Sequence, residues 1–184
     1  MKCKILFLAL LILFSSSCRE RRISGELREF MSNTVVMPSD LQKVYDRNIE
    51  MVSTDSLGVT MIILYDSLEC SSCRINHLRD FLSGYELLDS IPGCKLLTVF
   101  SPRQEEYDEV VKQLMILNFP YPIYVDYSCS FRKLNPFIPD DTKFHSFLID
   151  RDNRPVFVGN PLARREMMDL FNRVLYSMYP ETLN

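Results

Sequence analysis

Three short apolar runs, separated by amphipathic stretches, limit this chain to a small set of architectures. They are residues 60–65 (TMIILY), 95–100 (KLLTVF) and 121–126 (YPIYVD). Unbroken apolar runs of this length fit strands covered on both faces. After the first run, Ile75, Leu78, Phe81, Leu82 and Tyr85 recur at helical spacing; after the second, Tyr107, Val110, Val111 and Leu114 do so. Ser101 and Pro102 are the expected N-cap and first residue of that second helix. Residues 144–150 (FHSFLID) and 155–159 (PVFVG), joined by RDNR, read as a hairpin. A last helix gathers Met167, Leu170, Phe171, Val174, Leu175 and Met178 on one face. Strands alternating with helices predict an α/β fold, a mixed and mostly parallel sheet with helices on both faces. Upstream, residues 34–37 read as an entry strand and residues 38–45 as a helical turn.

The N-terminus reads as an address. Lys2 and Lys4 precede an unbroken apolar stretch, residues 5–14, then Ser15, Ser16, Ser17 and Cys18. This is the pattern of a secretory signal, too short to span a bilayer. Ending on a cysteine, it resembles the lipobox of bacterial lipoproteins, although Ser15 stands where such boxes usually carry an aliphatic residue. The resemblance implies that residues 1–17 are removed as a signal peptide and that Cys18 is acylated by palmitate-type chains. Residues 18–33 would then be a tether and residues 34–184 the domain. Plain secretion, with Cys18 an ordinary thiol, is the alternative. The lipoprotein resemblance implies a lipid-anchored protein of the cell envelope. Since surface export in resembling lipoproteins goes with acidic residues after the cysteine, the basic run Arg19, Arg21 and Arg22 favours retention facing the periplasm.

With 47% apolar and 24% charged residues the chain is globular, and a net charge of −3 gives no reason to expect a nucleic-acid partner. The five glycines are unclustered, so there is no Gly-rich phosphate loop, and no cofactor is called for.

Of the six cysteines, Cys3 leaves with the signal and Cys18 carries lipid, so Cys70, Cys73, Cys94 and Cys129 remain. Four cysteines allow three full pairings. Cys70 and Cys73 form a CxxC at the head of a helix that follows a buried strand. Unpaired N–H groups and the dipole of a helix N-terminus stabilise a thiolate. Cys70 is therefore the expected attacking sulfur, and Cys73, one turn on and facing inward, its resolving partner. Ser71 and Ser72 bring hydroxyls without charge, Glu69 opposes the thiolate and Arg74 offsets it, so only a modest depression of the Cys70 pKa is expected. In a parallel order, Cys94 precedes its strand and Cys129 follows one. Strands of this length separate the two sheet edges by about 20 Å, whereas a disulfide needs Cα atoms within about 7 Å. Cys94 and Cys129 should stay unbridged, Cys94 as a small buried thiol and Cys129, at the edge that carries the CxxC, as a helix-packing residue or else a third thiol near the site. His145 begins the hairpin strand at that same edge. It reads either as a hydrogen-bonded structural group or, with Cys70 and Cys73, as part of a soft-metal set. His77 falls on the helix surface.

A CxxC after a buried strand, in this order of elements, resembles the thioredoxin fold. YPIYVD looks like the additional strand of exported thiol-disulfide reductases of the TlpA/ResA type and of peroxiredoxins, and FLIDRDNRPVFVG is similar to their strand–turn–strand. The resemblance covers roughly residues 58–178. It implies a protein thiol or disulfide as substrate and a second redox partner. In three places the sequence departs from the pattern: Phe144 stands where the enzymes carry a cis-proline, with Pro139 five residues too early; Glu69 stands where they usually carry Trp; and Leu64 stands in place of a buried acid. Three function classes follow. The first is a thiol-disulfide oxidoreductase. The second is a non-enzymatic thioredoxin-like binding module with a structural disulfide, and the third a metallochaperone.

Overall fold

The computed structural model describes residues 21–53 and 58–178. The expected signal peptide and Cys18 lie outside the described residues. Seven strands form one mixed sheet. A hairpin of β1 (Leu41–Tyr45) and β2 (Asn48–Met51) lies at one side, the parallel strands β3 (Thr60–Asp66), β4 (Lys95–Ser101) and β5 (Ile123–Asp126) in the middle, and a hairpin of β6 (Ser146–Ile149) and β7 (Pro155–Val158) at the other side. The order is β2-β1-β5-β4-β3-β6-β7, with β1 antiparallel to β5 and β6 antiparallel to β3. The expected mixed α/β sheet with helices on both faces is what the chain adopts, but it is not mostly parallel: only the β3–β4 and β4–β5 pairings are parallel, and the two flanking hairpins make the other four antiparallel.

Alternation along β3 sorts the core. Met61, Ile63 and Tyr65 face one side, which is covered by α2 (Ser71–His77), α3 (Leu82–Asp89), α4 (Tyr107–Leu117) and α6 (Arg165–Met178). Stepping from β3 to β4 to β5 in one direction with right-handed crossovers puts the intervening helices on one face, and α2 packs against α4. Ile62 and Leu64 face the other side, under the helix of residues 21–32 (α1) and the short α5 (Phe131–Leu134). This second face is thinly covered, so single aromatic side chains carry it. Phe30, Phe131 and Phe147 are fully buried there, and Phe30 meets Phe147 edge-on with centroids 5.0 Å apart.

Four expectations are corrected. The tether proposed for residues 18–33 is helical over 21–32, and Phe30 anchors its end in the domain core. Residues 34–37 do not join the sheet; the buried Asn135 side chain fastens them, accepting from the Val36 N–H (2.7 Å) and donating to the Val36 carbonyl (2.8 Å). The helical turn expected over 38–45 is instead strand β1, whose turn to β2 runs through Asp46 and Arg47 at positive φ. Ser101 does not cap a helix. It ends β4, its Oγ donates to Asp126 Oδ2 (2.7 Å), and α4 begins later, after a short 3-10 turn over Gln104–Glu106.

Candidate active site

The C-terminal edge of the parallel strands collects the chemistry. β3 ends at Asp66, which is fully buried. Its Oδ1 accepts from the Leu68 N–H (2.9 Å) and its carbonyl from the Glu69 N–H (3.1 Å), so one residue shapes the turn that delivers Cys70. Cys70 is the N-cap of α2. Its backbone carbonyl accepts the first helical hydrogen bond, from the Arg74 N–H (3.1 Å), and its Sγ accepts from the Cys73 N–H (3.3 Å). Cys70 and Cys73 are joined as a disulfide with Cα atoms 5.3 Å apart. Among the described residues Cys94 and Cys129 are free, as strand direction requires.

Cys73 is exposed, as is Cys70, which corrects the inward orientation expected for it. The inward residues of this helical segment are Ser71, Ile75 and Leu78, spaced four and three apart, and Cys73 falls between them on the solvent side. Both sulfur-bearing residues are therefore open to solvent. Of the two sulfurs, only Cys70 Sγ receives a backbone N–H among the described residues.

Glu69 and Arg74 flank the pair and bond to each other, with Nη2–Oε1 at 2.5 Å. The Glu69 side chain is only 7% exposed, and the Arg74 guanidinium lies 5.7 Å from the centre of the Tyr65 ring. Burial pushes the Tyr65 phenol up, and the Arg74 charge opposes that shift. Arg74 thus offsets Glu69 directly, as the sequence led us to expect.

Phe144 is the residue that the resemblance set in place of a proline. It is buried in a 3-10 turn, Thr142–Phe144, with Lys143 Nζ 4.5 Å from its ring centre, and no peptide bond among the described residues is cis. His145 follows and is buried. Its backbone carbonyl accepts from the Leu64 N–H (2.8 Å), its Nε2 bonds the Pro139 carbonyl (2.9 Å), and its Nδ1 lies 3.9 Å from Asp66 Oδ2. Arg132 Nε approaches the same Asp66 oxygen at 3.4 Å, an ion pair without hydrogen-bond geometry. His145 therefore serves an inner cluster with Asp66 and Arg132. Among the described residues no group of three or more His, Cys, Asp or Glu could hold a metal ion, and Cys70 and Cys73 are bonded to each other. His77 sits on the helix surface, its Nδ1 2.8 Å from Asp80.

Cys129 sits in the turn after β5 at a positive φ of 52°. It is two strands from β3, about 10 Å across the sheet. Burial, reinforced by Asp126, pushes its thiol up to about 11, which keeps it protonated and unreactive at neutral pH. Asp126, buried beside it, accepts from Ser101 Oγ and the Phe131 N–H, both at 2.7 Å. Sequence reasoning missed Asp66, Asp126 and Arg132. The available signal was an acid closing an apolar run, in TMIILYD and YPIYVD alike.

A cavity of about 300 Å³ opens beside the disulfide. Glu69, Arg74, Asp141 and Lys143 stand among its lining, with Phe81, Tyr85 and Leu162 giving it apolar walls. Gly84 lets that wall close. A Cβ there would come within 2.3 Å of Leu162 Cδ1.

No family model and no curated protein matches this sequence. Solved structures of similar shape include an uncharacterized thioredoxin-like protein from Porphyromonas gingivalis (16% identity, 83% of this chain and 97% of that one, TM-score 0.48). AhpC of Enterococcus faecalis is also among them (12% identity, 83% and 97%, TM-score 0.46). A third is the thioredoxin domain of a thiol-disulfide oxidoreductase from Bacteroides vulgatus (12% identity, 77% and 96%, TM-score 0.42).

Proposed function

We propose that this chain is an exported, lipid-anchored thiol-disulfide oxidoreductase that acts on protein disulfides. The observation that carries the reading is the Cys70–Cys73 disulfide at the start of α2. Both of its residues are exposed, and one sulfur is aimed at by a backbone N–H. A buried staple has no need of such access, whereas exchange requires it, because an incoming thiolate must approach along the S–S axis.

In the reducing direction the dithiol form reacts. The Cys70 thiolate attacks one sulfur of the substrate disulfide, and the other substrate sulfur departs as a thiolate that takes up a proton. The Cys73 thiolate then attacks Cys70 in the mixed disulfide and releases the second substrate thiol. Two electrons pass from the protein to the substrate, and a dithiol redox partner returns them by the same exchange. The N–H at Cys70 favours its thiolate as attacker and as leaving group. The Glu69–Arg74 pair adds no net charge.

Export and anchoring rest on Lys2, Lys4, the apolar residues 5–14 and Cys18. Cys18→Ala should leave the precursor unprocessed or release the protein from membranes; normal processing with an unchanged membrane fraction contradicts the anchor. The exchange reading is tested by Cys73→Ser in cells. The surviving Cys70 should accumulate mixed disulfides that dissolve on reduction, and their absence, with Cys70 alkylated no faster than a free cysteine of pKa about 8.5, removes the reading.

A further inference from the structure

We infer that the cavity beside the disulfide receives a neutral aromatic side chain next to the reacting cysteine of a polypeptide substrate. This deepens the proposed function and rests on it. Glu69 and Arg74, each adjacent in sequence to one of the two cysteines, both line the cavity, so it opens within one residue of each sulfur. Consecutive Cα atoms lie 3.8 Å apart. A residue one position from the substrate cysteine therefore reaches this opening while its neighbour is bonded to Cys70.

Size and charge choose the occupant. About 300 Å³ lies at the lower end of ligand-binding pockets, enough for one large side chain and too small for a folded element. The charged groups at the mouth are paired off, Arg74 with Glu69 and Lys143 with Asp141, both at 2.5 Å. A charged occupant would have to break one of these pairs, whereas a neutral one leaves both intact. Tyr65, Phe81, Tyr85 and Leu162 give the cavity an aromatic and aliphatic wall, and Thr142, Ser146 and Asn160 line it with uncharged polar groups. Rings prefer edge-to-face or offset contact with rings, and Phe81 is already exposed at this site. Leu68 is also exposed, in the turn before Cys70.

The test uses the reduced mature chain and short neutral peptides, each with one cysteine joined to thionitrobenzoate. Attack by Cys70 on the peptide sulfur forms the protein–peptide disulfide and expels coloured thionitrobenzoate, so one bond forms for each one broken. A peptide with Phe beside the cysteine should react at least tenfold faster than one with Ser, and peptides with Asp or Lys there should behave like Ser. Leu162→Trp, which fills the wall, should bring the Phe-to-Ser ratio toward one. Asn160→Trp, at an exposed position of the same lining, should do the same. The readout is a ratio within one protein, so a general loss of activity does not imitate it. Equal rates for Phe and Ser in the parent, or a ratio unmoved by both variants, overturn the cavity as a specificity site and leave the exchange reading standing. Failure of every peptide to release thionitrobenzoate overturns both.

Discussion

Replacing Asp66 by Ala removes the carboxylate beneath the Cys70 turn. The Leu68 N–H then loses a charged acceptor at 2.9 Å, and a hydrogen bond to a charged group contributes about 1.5–3 kcal/mol. Arg132 and His145 lose the oxygen they both approach, at 3.4 and 3.9 Å. Arg132 keeps the carbonyls of Ile138 and Pro139 and the Asp140 carboxylate, so its share of the loss is small, about 0–1 kcal/mol. The sum is about 1.5–4 kcal/mol. For a chain of this length each kcal/mol shifts the midpoint by about 2–4 °C, so the thermal midpoint of the oxidised protein, followed by circular dichroism at pH 7, should fall by roughly 3–16 °C. Asp66→Asn keeps an acceptor for Leu68 and removes only the charge, so it should lose about half as much. A melting point for Asp66→Ala within a degree or two of the parent would refute the claim that this carboxylate fastens the turn. A fall for Asn as large as that for Ala would show that charge, and not the Leu68 hydrogen bond, does the fastening.

Phe30→Ala should cost about 3–5 kcal/mol in denaturant unfolding, because Phe30 is fully buried against Phe147 and Phe137; an unchanged midpoint would return residues 21–32 to the role of a passive tether. In the native reduced protein, iodoacetamide should label Cys94 and Cys129 slowly. Burial pushes both thiols up to about 11, so the neutral form prevails below that pH and only on the order of one molecule in a thousand is a thiolate at pH 8. Their labelling, followed by mass spectrometry, should rise about tenfold per pH unit up to pH 11, and a plateau near pH 9 would contradict the burial argument.

The sheet was legible where strands are covered on both faces, since TMIILY and KLLTVF admit no amphipathic reading. Strand direction followed from alternation with helices, and from direction came the separation of Cys94 and Cys129. The β1–β2 hairpin was hidden for a physical reason. Leu41 and Val44 are the buried residues of β1 and lie three apart, a helical interval, because one faces each layer of the core. The turn that follows uses Asp46 and Arg47 and lacks the glycine that marks tight hairpins. Cys73 was misplaced although the signal was present. Running the Ile75 and Leu78 stripe back one turn reaches Ser71 and leaves Cys73 outside. The inner carboxylates Asp66 and Asp126 were invisible to hydropathy, because an acid at a strand end looks like the start of a loop until its N–H partners are known.

The reduction potential of the Cys70–Cys73 pair tests the central claim most directly. The mature protein is equilibrated in graded thiol–disulfide buffers, the free thiols are trapped, and the oxidised fraction is read by mass. A pair that exchanges with protein disulfides should have its midpoint above about −300 mV. A midpoint below that value, the range of structural disulfides in secreted proteins, would contradict the account and make the bond a staple.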